Sequence, residues 1–137
     1  MKNERILTTA IHLLTALAYN ADRLVNSEML ANSLQTNPGL VRRSVSILCK
    51  QGWVESIKGK NGGYRLCVAA KSISLRQVYE AINAGPLFHS FDKEPFAACQ
   101  VSCNIGKVLS NVYSDLEKGL LVKMDEIYIS DIVKKIG

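Results

Sequence analysis

Residues 26–51 read NSEMLANSLQTNPGLVRRSVSILCKQ, and the order of caps and apolar positions in this stretch decides the fold. Asn26 or Ser27 can accept a hydrogen bond from the free N–H groups of a helix start. Met29, Leu30 and Leu34 then give the inward positions of a short helix over residues 27–34. Gln35-Thr36-Asn37 is a tight polar connection. Asn37 caps a second helix, with Pro38 at the first position, where its missing N–H costs nothing. Val41, Val45 and Leu48 form the inner stripe of that helix. Gly39, Arg42, Arg43, Ser46 and Lys50 fall on its outer side, three and four residues apart. Gly52 stops it. Two short helices with a brief polar turn between them make a helix-turn-helix pattern.

The flanks extend the pattern. Ile6, Ala10, Leu13, Leu14 and Leu17 recur at helical spacing, which predicts a helix over residues 4–19. After Gly52, Trp53-Val54-Glu55-Ser56-Ile57-Lys58 alternates as a strand, Gly59-Lys60-Asn61-Gly62-Gly63 is a glycine-rich turn, and Tyr64-Arg65-Leu66-Cys67-Val68 alternates back. Three helices followed by a hairpin is the order of a winged helix-turn-helix. Ser74 caps a further helix to about residue 83, with Leu75, Val78, Tyr79 and Ile82 inward. Residues 87–102 read as a loop, long enough without regular structure to hint at function. Ile105, Val108, Leu109, Val112, Leu116 and Leu120 mark a long helix of roughly 28 Å, and residues 130–136 a short closing one. The fold class is mostly α with a small β-hairpin wing. It divides into a winged unit over 1–84, a sensor-type loop over 85–103, and a helical arm over 104–137.

Composition narrows the function. The chain has 137 residues, 47% apolar and 21% charged, which suits a folded domain rather than a disordered one. No apolar stretch approaches the roughly 20 residues of a membrane span, and no signal sequence is visible, so a cytoplasmic protein without a membrane partner is expected. Net charge is +5, and all of it lies in one half: residues 1–70 carry nine bases and four acids, residues 71–137 eight of each. A polyanion partner for the first half is the physical reading, against a basic solubilising face. An enzyme is excluded because no nucleophile, base and orienting group can be named together. The two histidines are His12, which reads as a packing residue, and His89 in the loop.

The pattern fits double-stranded DNA. A helix fits the major groove, and the second helix of the motif is the one that enters it. Its first turn offers Thr36, Asn37, Gly39, Leu40, Arg42 and Arg43, and Lys50 stands at its far end. Arginine reads guanine bidentately and asparagine reads adenine, although Asn37 is also the cap. The wing offers Lys58, Lys60, Asn61 and Gly62, where glycine lets the backbone approach a phosphate. Ser27, at the start of the first motif helix, completes the candidate contacts. The competing class is a winged domain used only for protein–protein contact, which the concentrated charge and the adjacent arginines oppose.

The run Ser56-Ile57-Lys58-Gly59-Lys60-Asn61-Gly62-Gly63-Tyr64-Arg65-Leu66 resembles the wing signature of the Rrf-two family of bacterial winged-helix transcription regulators, which includes the IscR, NsrR and CymR types. The helix-turn-helix ahead of it, Ile73-Ser74-Leu75 behind it, the cysteine-bearing loop and the long helix agree, so the resemblance spans nearly the whole chain. Asn37-Pro38 with Val41-Arg42-Arg43 is most similar to the YwnA-like branch. The resemblance implies a homodimer on a partly palindromic operator, with the dimer interface on the long helix at Ile105, Val108, Leu109, Val112, Leu116 and Leu120. It also implies that Tyr64 packs at the wing base.

The cysteines depart from the family's iron–sulfur members, which carry three in the loop before the long helix. Only Cys99 and Cys103 stand here, with His89, Asp92 and Glu94 as the other donors nearby. A four-sulfur cluster from one chain's loop is not available, nor is the C-x₂-C spacing of structural zinc, so no cofactor or metal is assigned. Cys99 and Cys103 are the redox or effector candidates. Cys103 is favoured for its place at the start of the long helix, where the helix dipole favours negative charge. Cys49 and Cys67 read as small core residues. The expected function is a sequence-specific repressor, with redox response, or iron–sulfur or metal dependence, as the alternatives for its effector.

Overall fold

The computed structural model describes residues 2–82, 85, 88 and 93–137. The order is α1 (Lys2–Tyr19), α2 (Ser27–Leu34), α3 (Pro38–Lys50), β1 (Val54–Ile57), β2 (Gly63–Leu66), a 3₁₀ turn at Ala70–Ser72, α4 (Leu75–Ile82), α5 (Gln100–Asp125) and α6 (Ile129–Ile136). Among the described residues no helix is long and apolar enough to cross a membrane.

The helix-turn-helix forms for the local reasons its sequence contains. Asn26 accepts from Met29 N at 2.9 Å and Asn37 accepts from Leu40 N at 2.8 Å, so each side-chain oxygen satisfies an N–H that the helix leaves free. Between the helices Gln35 takes a left-handed conformation (φ 56°), and Thr36 N reaches back to Ala31 O at 2.9 Å. At the far end of α3, Gly52 N bonds Cys49 O at 3.0 Å and Trp53 N bonds Leu48 O at 3.3 Å, a paired C-terminal closure that turns the chain into β1.

The core gathers Ala10, Leu13, Leu14 and Leu17 of α1, Leu30 and Ala31 of α2, and Val41, Val45 and Leu48 of α3 around Val54, Ile73, Val78 and Ile129. His12 Nε2 lies 2.8 Å from Ser33 Oγ, joining α1 to α2 at the edge of that core. Met29 was expected inward but is 40% exposed, and Ala31 at 2% takes the inner place. The buried stripe of this eight-residue helix runs through 30, 31 and 34, and position 29 is a full 100° step outside it. Cys67 is also outward, contrary to expectation. With Leu66 and Val68 packed against the core, strand alternation turns the residue between them to solvent.

The hairpin pairs Val54 with Leu66, Glu55 with Arg65, Ser56 with Tyr64 and Ile57 with Gly63. Glu55 and Arg65 form a cross-strand ion pair. Val25, just ahead of α2, adds a further rung on the other edge of β2: Val25 N donates to Tyr64 O at 3.0 Å and Tyr64 N to Val25 O at 2.8 Å. A side chain at Gly63 (φ +156°) would stand 2.9 Å from the Val25 carbonyl carbon and oxygen, so only glycine permits this approach.

The C-terminal half is tied back by a second bridge. Leu75 N donates to Ile127 O at 2.8 Å and Ile129 N to Ile73 O at 2.9 Å, seating the start of α6 beside the start of α4. Ser74 and Gln77 cap α4 reciprocally, Gln77 N bonding Ser74 Oγ at 3.2 Å and Ser74 N bonding Gln77 Oε1 at 2.8 Å. Tyr79 Oη lies 2.6 Å from Glu117 Oε1 and fastens α4 to α5. Burial, and then this carboxylate, push the Tyr79 hydroxyl up to about 12. α5 begins at Gln100, earlier than expected, with Cys99 as its cap and Cys103 inside its first turn. At 26 residues it is about 39 Å long. Its cap is a thiol accepting from Ser102 N at 3.4 Å, which the usual oxygen-bearing cap signals do not reveal.

Gly63→Ala will destabilise the chain by about 1–3 kcal/mol, by strain and by loss of the Val25 rung. Thermal unfolding checks this, and an unchanged midpoint would mean the rung does not hold the wing.

Candidate nucleic-acid interface

Two elements present the candidate residues: the first turn and outer face of α3, and the loop between β1 and β2. Burial of Val41, Val45 and Leu48 at the core fixes the rotation of α3. That rotation leaves Arg42, Arg43, Ser46 and Lys50 exposed on the opposite side. Neither arginine nor Lys50 has an acidic partner among the described residues, whose ion pairs involve Arg65, Arg76 and Lys123.

The turn residues divide by role. Asn37 is exposed, but its oxygen is committed to Leu40 N, which leaves its amide N–H groups for any further contact. Thr36, Gly39 and Leu40 are half-buried, as is Ser27 at the first position of α2. A side chain at Gly39 would meet Asn37 Oδ1 at 3.1 Å, so a small residue here keeps the cap in place. In the wing, Lys58, Lys60 and Asn61 are exposed. Gly62 has a structural demand of its own: a Cβ would lie 2.0 Å from Ile57 O, and Gly62 N closes the turn onto Gly59 O at 3.0 Å.

One neighbour was not singled out in the sequence. A depression of about 660 Å³ beside the turn is lined by Arg5, Thr8 and Thr9 of α1 together with Leu34, Gln35, Thr36 and Leu40. The packing of α1 across the motif creates it, and no local pattern at residues 5–9 announces it.

On α5, Val108 (53% exposed), Val112 (44%), Leu116 (53%) and Leu120 (36%) form an uncovered apolar row, with Ile105 and Leu109 half-buried beside it. At the start of the helix, Cys103 Sγ lies 3.6 Å from Phe96 O and 3.7 Å from Ala97 O. His89 and Asp92 lie outside the described residues.

A family profile described as an iron-dependent transcriptional regulator, Rrf2, matches residues 4–135. The chain is 29% identical over 133 residues to YwnA of Bacillus subtilis (strain 168), a candidate HTH-type transcriptional regulator, covering 97% of each. A candidate transcriptional regulator from Lactobacillus plantarum superposes with a TM-score of 0.76 at 26% identity, over 96% of this chain and 89% of that one. T. potens IscR superposes at 0.71 and 18% identity, over 100% and 87%, a likeness of fold.

The donor set for iron does not follow the family's description. Cys99 and Cys103 are two thiols, Cys99 serves as the helix cap, and among the described residues no group of three His, Cys, Asp or Glu side chains is placed to hold a metal ion. The winged unit, its basic and unpaired α3 face and the nearly full-length matches are those of a regulator rather than an enzyme: the chain belongs to the Rrf2 family of DNA-binding transcriptional regulators.

Proposed function

We propose that the chain is a homodimeric repressor that binds a partly palindromic operator, with residues 1–84 reading DNA and residues 104–137 carrying the dimer seam. The observation that carries this reading is the α3 face. Arg42, Arg43 and Lys50 stand exposed without an acidic partner among the described residues, on a helix whose inner side is locked into the core. Unpaired guanidinium groups in that position suit guanine edges and phosphates. Lys58, Lys60 and Asn61 suit the adjacent backbone, and Ser27, Thr36, Asn37, Gly39, Leu40 and Gly62 shape the approach.

Two symmetric copies would double that contact, and the row Val108, Val112, Leu116 and Leu120 supports a seam along α5, since exposed apolar area of this extent favours association. Half-sites one helical turn apart, about 34–36 Å, follow from such symmetry. The site of action is the cytoplasm, where the DNA lies. Cys99 and Cys103, at the head of the seam helix, are the effector candidates through thiol oxidation, a change that would act where the arm leaves the loop.

Arg42→Ala or Arg43→Ala will weaken operator binding by about 1–3 kcal/mol where the arginine reads a base, and will lower the salt slope by about one where it meets phosphate. Fluorescence anisotropy titrations check this, and unchanged affinity and slope for both would remove α3 from the groove. Leu109→Asp with Leu116→Asp will shift the sedimentation coefficient toward that of a monomer; an unaltered dimer would put the seam elsewhere.

A further inference from the structure

We propose that Cys49 and Cys67 are a peroxide-sensitive thiol pair that joins the end of α3 to the end of the hairpin. Both residues hang on one short turn, Gln51-Gly52-Trp53. On one side Gly52 N bonds Cys49 O at 3.0 Å. On the other, Cys67 N bonds Trp53 O at 2.9 Å and the Cys67 thiol donates to Gly52 O at 3.0 Å. The two cysteines differ in access: Cys67 is exposed, and Cys49 is half-buried against the core. Burial, and after it the charge of Cys67, push the Cys49 thiol up.

That division suits an attacking and a resolving sulfur. The Cys67 thiol gives up the proton it had offered to Gly52 O, and its sulfur attacks one oxygen of a hydroperoxide. The O–O bond breaks, Cys67 becomes a sulfenic acid, and the departing hydroxide takes a proton to leave as water. The Cys49 sulfur then attacks the Cys67 sulfur. The S–O bond breaks, and hydroxide leaves with the Cys49 proton as a second water. Two thiols give one disulfide, and their two electrons reduce the peroxide. An S–S bond of about 2.05 Å replaces the Cys67–Gly52 contact and ties α3 directly to the wing. These are the two elements that the proposed function sets on DNA, and losing the Cys67–Gly52 contact to the new bond shifts the mutual arrangement in which they are held. The consequence for DNA rests on that proposed function; the pairing of the thiols does not. Cys99 and Cys103 take no part.

The test uses the full chain with Cys99→Ser and Cys103→Ser. It is treated with hydrogen peroxide, alkylated and digested with trypsin. Cleavage after Arg43, Lys50, Arg65 and Lys71 leaves Cys49 in peptide 44–50 and Cys67 in peptide 66–71. The expected product is these two peptides linked, two hydrogens lighter than their sum and separated again by dithiothreitol. Peroxide should weaken DNA binding by about tenfold or more. Adding Cys67→Ser should abolish both the link and that response, while leaving the affinity of the untreated protein as it was. Cys67 linked to Cys67 of a second copy, Cys67 oxidised without a link, or no oxidation at all would each overturn the pair. A link without any change in affinity would overturn its effect on DNA. Failure of the untreated protein to bind any DNA counts against the proposed function, and the linked peptide then still decides the pairing.

Discussion

The wing is held to the helix-turn-helix by the close backbone pairing of Val25 with Tyr64. A two-stranded hairpin alone is marginal in water. Here β2 gains a further rung on its other edge from the segment that leads directly into α2, and Gly63 allows the approach by having no side chain to place. The rung couples three features that would otherwise be independent: the position of the wing loop, the cap at Asn26, and through α2 the setting of the turn before α3. Tyr64 adds a ring packed against the core at the same point. Displacing this rung would leave the cations of the wing and of α3 in place in the sequence, but not in a fixed mutual arrangement.

A similar device joins the second half to the first. Ile73 and Leu75 bracket Ser74 and exchange backbone bonds with Ile129 and Ile127, so α6 returns to pack on α1 while α5 extends away. Ser74 is buried and fully engaged as a cap. Tyr79 and Glu117 fasten the stem of α5 further along. The outer row of α5 is therefore uncovered within one chain because the contacts that anchor this helix lie on its other side.

What could be read from the sequence were features whose causes are local. Asn37-Pro38 names a cap and a first helical turn, Gly52 names a stop, and alternation through 53–58 and 64–68 names a hairpin; each is decided by residues within a few positions. The outward side of α3 was legible for the same reason, because Val41, Val45 and Leu48 leave only one face for Arg42, Arg43 and Lys50. Features decided by tertiary contact were not legible. Val25 carries no strand pattern of its own, and Arg5 reaches the turn only through the packing of α1. Met29 satisfies the apolar rule but lies one step off a narrow stripe. Cys67 is outward because of its neighbours, and α5 starts at a thiol cap that the usual signals omit. The last two change the reading of the cysteines, since Cys99 is engaged at a helix start and Cys67 stands open beside the turn that ends α3.

We propose that the basic face of α3 and the wing together recognise a particular DNA sequence. The most direct test is fluorescence anisotropy of the reduced protein with a duplex from upstream of its own gene and with a scrambled duplex, each at two salt concentrations. Tighter binding to the native duplex is expected, with affinity falling steeply as salt rises. Absence of binding to either duplex at low salt would contradict it, and would leave the winged unit as a surface for protein contact.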